Sequence, residues 1–102
     1  MAAERVEAML RPRVGREVIP YSVERTAGST KFRFIEGNPR RKGDHLRERR
    51  VVVTIHSLDG GADASASVSS TECKFIFVTM RCHEAEEQWR HAVADATGVP
   101  AR

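Results

Sequence analysis

Residues 73–97 read CKFIFVTMRCHEAEEQWRHAVADAT, and the change of period inside this stretch settles the fold class. From Lys74 to Met80, Phe75 and Phe77 lie opposite Ile76, Val78 and Met80. Both faces are apolar, which predicts a strand covered on both sides. From about Cys82 the spacing becomes helical: Ala85, Trp89, Ala92, Val93 and Ala96 fall at i, i+4, i+7, i+8 and i+11 and form one stripe. Glu84, Glu86 and Glu87 occupy the first turns, where the helix dipole favours negative charge, and Gly98 and Pro100 mark the end. The expectation is a strand running straight into an amphipathic helix, with Phe75, Phe77, Trp89, Ala92 and Val93 forming the core between helix and sheet.

Upstream of this unit, Arg49 to Leu58 (RRVVVTIHSL) is β-branched and apolar on both faces, the pattern of a central strand. The intervening DGGADASASVSST is small and polar, and reads as a mobile loop with room for a short strand near Ala66 to Ser69. Lys31 to Glu36 (KFRFIE) places Phe32 and Phe34 on one face of a strand and Lys31, Arg33 and Ile35 on the other. GNPRRKGD, which follows it, is a loop by composition. Glu17 to Glu24 (EVIPYSVE) alternates Ile19, Tyr21 and Val23 on one side, and Pro20, which has no N–H for a ladder, assigns it to a sheet edge. TAGST after it is a turn. Residues 2–10 set Ala2, Val6, Met9 and Leu10 on one face of a short helix that Pro12 ends.

These elements add up to an α+β fold: an antiparallel sheet of four to five strands packed by a C-terminal amphipathic helix, with a short N-terminal helix. The expected organisation is a helix at 1–12, a single domain at 13–98 and a tail at 99–102. A chain of 102 residues suits one domain with one core. With 40% hydrophobic and 30% charged residues it has the composition of a folded domain, and no apolar run approaches the ~18–20 residues of a membrane span. The first residues carry no secretory core, and Glu4 and Glu7 are out of place in a mitochondrial presequence, so a cytoplasmic or nuclear location is expected. In such a compartment Cys73 and Cys82 are expected as reduced thiols.

The net charge of +3 is unevenly spread. Between Lys31 and Val51 lie eight basic residues, Lys31, Arg33, Arg40, Arg41, Lys42, Arg47, Arg49 and Arg50, against Glu36, Asp44 and Glu48, a local excess of +5. This segment is the candidate surface for a polyanion or an acidic partner. In Lys31-Phe32-Arg33-Phe34, cations alternate with aromatic rings, a pattern that suits base stacking with phosphate pairing but that a half-buried strand also produces. His45, His56, His83 and His91 lack the spacing of a helical metal pair, and Cys82 beside His83 lacks that of a zinc site. No nucleophile–base signature and no glycine loop for phosphates is present. The expectation is therefore a non-catalytic protein without metal or cofactor.

With strand and helix placed, KFIFVTMRCHEAEEQWRHAV resembles the closing unit of pleckstrin-homology-like domains. There, a last strand with alternating Phe leads into a helix of pattern E-x-E-E-x-W-x-x-A-hydrophobic, whose tryptophan plugs one end of a bent β-barrel. The matching positions here are Phe75, Phe77, Glu84, Glu87, Trp89, Ala92 and Val93. Lys42 followed by Arg47-Glu48-Arg49 and RVVVTI is also similar to the phosphoinositide-binding signature of that family. The family's seven strands do not fit the length between Leu58 and Phe75, so the resemblance implies a reduced barrel. Its functional implication is an adaptor that engages a protein partner or an acidic lipid surface through the basic hairpin at 31–50. The alternative expectation is an RNA-binding protein or a structural subunit of a ribonucleoprotein or other large assembly. A seven-stranded bent barrel favours the first; an open four-stranded sheet with both helices on one face favours the second.

Overall fold

Alternation in β2 (Ser29–Glu36) orients the whole sheet, because Phe32 and Phe34 are buried while Arg33 between them is exposed. The computed structural model describes residues 2–36, 49–57, 63–75 and 78–102, with the backbone alone at 63–64, 73–75 and 78. The other elements are α1 (Ala2–Leu10), a 3-10 turn (Arg11–Arg13), β1 (Ser22–Arg25), β3 (Arg49–Ser57), β4 (Asp63–Phe75), β5 (Val78–Arg81) and α2 (His83–Thr97). The strands form one five-stranded antiparallel sheet in the order β1-β2-β3-β4-β5. The α+β class and the two flanking helices are as the sequence predicts.

Both helices contribute to a single core on one face of the sheet. Phe32 and Phe34 from β2, Val51, Val53 and Ile55 from β3, and Ala66 and Val68 from β4 meet Ala2, Val6 and Leu10 of α1 and Ala85, Trp89 and Val93 of α2. The helices are tied to each other and to the sheet by polar contacts at the rim. Arg5 donates to the Thr97 carbonyl at 3.3 Å, a cation at the carbonyl end of α2 where the dipole favours it. Tyr21 donates its hydroxyl to Glu7 at 3.2 Å. Gly98 ends α2 with φ +75° and an N–H bond to the Ala94 carbonyl, the left-handed cap that a side chain disfavours.

Four expectations change in the folded chain. The strand over 74–80 is not continuous: β4 ends at Phe75, Phe75 pairs with Val78, and the chain returns as β5. Within the described residues, β4 pairs with β3 as far as Glu72 opposite Arg49, and Cys73 and Phe75 pair with Thr79 and Val78 of β5. The side chains of Phe75 and Phe77, expected as core, lie outside those described. Second, the stretch read as a mobile loop is most of β4, the longest strand. Ala66, Val68 and Ser70 face the core while Ser65, Ser67, Ser69 and Thr71 face away, a two-residue period whose small side chains carry little hydropathy signal.

Third, β3 is central in order but covered on one face only, since Arg50 and His56 are exposed and Val52 half-buried on the other. Both helices pack on the same side, which is enough for an antiparallel sheet. Fourth, Val18 rather than Ile19 enters the core, at 0% exposure against 38%. Gly15, at φ +80°, turns the chain after Arg13, whose carbonyl accepts the N–H groups of Arg16, Glu17 and Val18. Val18 then bridges to Glu36, and the alternation resumes only after Pro20. On α2 the buried row is Ala85, Glu86, Trp89, Val93 and Thr97, with Ala92 and Ala96 half-buried, because Arg81 draws Glu86 inward.

Residues 99–102 extend the sheet. The Ala66 N–H donates to the Pro100 carbonyl at 2.8 Å, Val68 N–H to Arg102 at 2.7 Å and Arg102 N–H to Ala66 at 3.0 Å. β5 and this segment together cover the second edge of β4, which would otherwise offer unpaired backbone groups to another chain.

The change of phase at Pro20 has a direct test in chemical denaturation. Val18→Ala is expected to destabilise by about 2 kcal/mol, from the methyl groups removed and the void left behind. Ile19→Ala is expected to change stability by no more than about 0.5 kcal/mol.

Candidate functional site: the free face of the sheet

With both helices on one side, the opposite face is set by the alternate residues of each strand. The register makes rows across it. One runs Ser22, Arg33, Val52, Ser69; the next runs Ile35, Arg50, Thr71; another runs Glu24, Lys31, Thr54, Ser67. A cleft of about 650 Å³ lies over the first two rows, bordered by Pro20, Tyr21 and Ser22 at the β1 end and by Ser69 and Thr71 at the β4 end. That volume is in the range of ligand pockets. Its floor is the backbone and side chains of Arg33, Ile35, Arg50 and Val52.

The chemistry of this face is cationic and hydroxyl-rich. Arg33 donates to Glu24 at 2.7 Å across the β1–β2 pair, and both are exposed. The hydrogen bond from Arg33, then its charge, with a smaller contribution from Lys31, holds the Glu24 carboxyl below the ordinary carboxylate range. Arg50 is exposed and has no ion-pair partner among the described residues. The hydroxyls of Ser69 and Thr71 are also exposed, without a hydrogen bond to any described residue. His56 is hydrogen-bonded to Ser67 at 3.1 Å. Among the described residues no carboxylate is bonded to the other ring nitrogen.

The structure divides the eight cations named from the sequence. Lys31, Arg33 and Arg50 share the free face. Arg49 belongs to the core-side face, in a row between Glu36 and Glu72, and two flanking carboxylates make it unsuitable for an anion. Arg40, Arg41, Lys42 and Arg47 lie outside the described residues. The aromatic half of KFRF points inward: Phe32 meets Tyr21 edge-on at 6.2 Å, and Phe34 meets Trp89 edge-on at 4.7 Å. Composition alone does not single out Ser69 and Thr71. The signal that reveals them is the serine alternation of residues 65–71, legible once β4 is recognised as a strand.

The end of this face is anchored through Trp89. Its indole N–H donates to Glu36, the last residue of β2, at 2.8 Å. Arg13 lies over the same ring at 5.1 Å from its centre. No helix among the described residues is long and apolar enough to cross a membrane. Among the same residues, no group of three or more His, Cys, Asp and Glu side chains is gathered to hold a metal ion.

Comparison with protein families, curated proteins and solved structures gives no match. The functional reading therefore rests on the geometry of this face.

Two measurements check the site's architecture. Following the side-chain carboxyl carbons by NMR, Glu24 is expected to titrate below the ordinary carboxylate range, and Arg33→Gln is expected to raise it toward that range. Because its folded pKa is depressed, the pair's contribution exists above the unfolded value and fades as pH falls through the folded one. Trp89→Phe preserves most of the packing but removes the donor to Glu36, and is expected to lower stability by about 1–3 kcal/mol; Trp89→Ala is expected to lose about 3–5 kcal/mol.

Proposed function

We propose that this protein is a non-catalytic binding module whose free sheet face, together with the basic segment at 31–50, engages an acidic segment of a protein partner. The observation that carries the reading is a cleft of about 650 Å³ floored by Arg33 and Arg50, rimmed by hydroxyls, and closed to both helices. Among the described residues the Arg50 guanidinium has no ion-pair partner, and its fork geometry suits a bidentate carboxylate. The rest of the basic segment, with Arg40, Arg41, Lys42 and Arg47, lies in sequence between Glu36 and Arg49, the strand ends beside this part of the face.

The architecture matches neither pattern that would have separated an adaptor from an RNA-binding subunit. The sheet has five strands, and both helices lie on one face. The chemistry of the free face favours protein over RNA, because a base-stacking platform needs exposed rings. Phe32, Phe34 and Trp89 are buried in the core, Tyr21 at the border of the cleft packs edge-on against Phe32, and the exposed His56 ring is bonded to Ser67 away from the cleft. The adaptor reading also keeps the resemblance of α2 to the closing helix of pleckstrin-homology-like domains as a supporting argument, through Trp89 and Val93.

Titration calorimetry of the full chain with poly-glutamate tests the proposal. Binding is expected at low ionic strength, weakening as salt is raised, and Arg50→Glu is expected to reduce affinity at least about tenfold. Binding indifferent to Arg50→Glu would remove the free face from the interaction. Single-stranded RNA could bind instead, with a salt slope that falls by about 0.7 for each phosphate left unneutralised when Arg40, Arg41 and Lys42 are replaced with Ala. In that outcome the RNA reading replaces this one.

A further inference from the structure

We propose that Arg50, Thr71, Ser69 and Arg33 form a subsite for a phosphate group carried on the acidic partner, so that the free face selects the phosphorylated form of a protein segment. This rests on the reading of that face as the binding surface for such a segment.

The register places the groups. Arg50 lies directly between Ile35 and Thr71, while Arg33 and Ser69 occupy the adjoining row at diagonal positions. Diagonal neighbours in a sheet are about 7–8 Å apart at the backbone, a span that two long guanidinium side chains close around one tetrahedral anion. All four side chains are exposed. Among the described residues the Ser69 and Thr71 hydroxyls and the Arg50 guanidinium have no partner, and all three are exposed donors. Two guanidinium forks and two hydroxyls exceed what one carboxylate satisfies, with its single charge and two oxygens. A phosphomonoester carries about −1.5 to −2 charges near neutral pH and three strong acceptor oxygens, which suits this donor set.

Glu24 supplies the second half of the argument. Its carboxylate already occupies Arg33 at 2.7 Å, across an exposed pair. It holds Arg33 over the face in the absence of ligand and competes for the same guanidinium when one arrives. A singly charged carboxylate on the partner gains little by displacing an equivalent internal one. A dianion gains more, so the Glu24–Arg33 pair raises the selectivity of the subsite for phosphate. Among the described outward side chains of β2, β3 and β4 the aromatic ring is that of His56, two rows beyond Arg33 and bonded to Ser67, so none stands beside these four residues, which favours a phosphorylated protein side chain over a nucleotide.

Fluorescence anisotropy with degenerate peptide pools tests this, each pool having one fixed central residue: phosphoserine, phosphothreonine, phosphotyrosine, threonine or glutamate. At least one phosphorylated pool is expected to bind about tenfold or more tighter than the glutamate pool, the difference that one additional charge-assisted hydrogen bond supports. Arg50→Lys, which keeps the charge but loses the fork, is expected to remove most of that preference while glutamate binding persists. Glu24→Gln is expected to strengthen phosphopeptide binding and to narrow the preference. Equal binding of glutamate and phosphorylated pools overturns the subsite and leaves the acidic-segment reading standing. Absence of binding by every pool, with poly-glutamate also unbound, overturns both. Arg50-dependent binding to phosphatidylserine vesicles without phosphopeptide binding also overturns the proposal, in favour of a lipid surface. Arg50 and Glu24 are exposed, so matching thermal unfolding curves confirm that each variant is folded.

Discussion

Trp89 is the contact through which the separate parts of this fold are held in one arrangement. Its ring is 3% exposed, packs edge-on against Phe34 at 4.7 Å and lies under Arg13, while its N–H reaches Glu36 at 2.8 Å. One side chain thus joins α2, two positions of β2 and the turn after α1. Burial of a large aromatic stabilises through its area, and the indole N–H adds a direction that area alone does not supply. The hydrogen bond holds Glu36 at the core-side rim, and by alternation Arg33 and Ile35 then lie on the opposite face. The binding surface and the core are therefore alternate residues of the same strand.

That coupling explains why the free face has its composition. A single-layer sheet with both helices on one side turns alternate residues of its strands away from the core, and there polar side chains are tolerated. In β4 this produces Ser65, Ser67, Ser69 and Thr71; in β2 and β3 it places Lys31, Arg33 and Arg50. Only Thr54, among the outward residues of β3, is nearly buried, at 9%. The sheet edges are covered by different means. β1 is short and polar, with Glu24 and Arg25, while the second edge of β4 is covered by β5 and by residues 100–102.

Glu86 shows a different constraint. A carboxylate at 1% exposure is costly without partners, and Arg81 supplies two bonds at 2.6 and 3.1 Å from the last residue of β5. This fork ties β5 to the first turn of α2 and selects which row of the helix faces the sheet. The Arg81 side chain is 65% exposed, so solvent screens the pair and its worth lies in positioning more than in energy.

Local patterning was sufficient for α1, β2, β3, the body of α2 and its stop at Gly98, because in each the side-chain period matches the backbone period and the apolar residues are large. It was sufficient too for Phe32 and Phe34 facing inward and for Trp89 as a core residue. It was insufficient wherever a partner strand dictated the conformation. The weakly apolar stretch at 63–72 becomes a strand because β3 offers it a ladder, and the strongly apolar KFIFVTM is divided because Phe75 pairs back with Val78 of β5. The same limit applies to the site. Composition located the cations, but their sorting into Lys31, Arg33 and Arg50 on one face and Arg49 between two glutamates on the other follows from register, as does the meeting of Arg50 with Thr71. Side-chain period is a property of neighbours along the chain; register is a property of neighbours across it, and it exists only once the strands have paired.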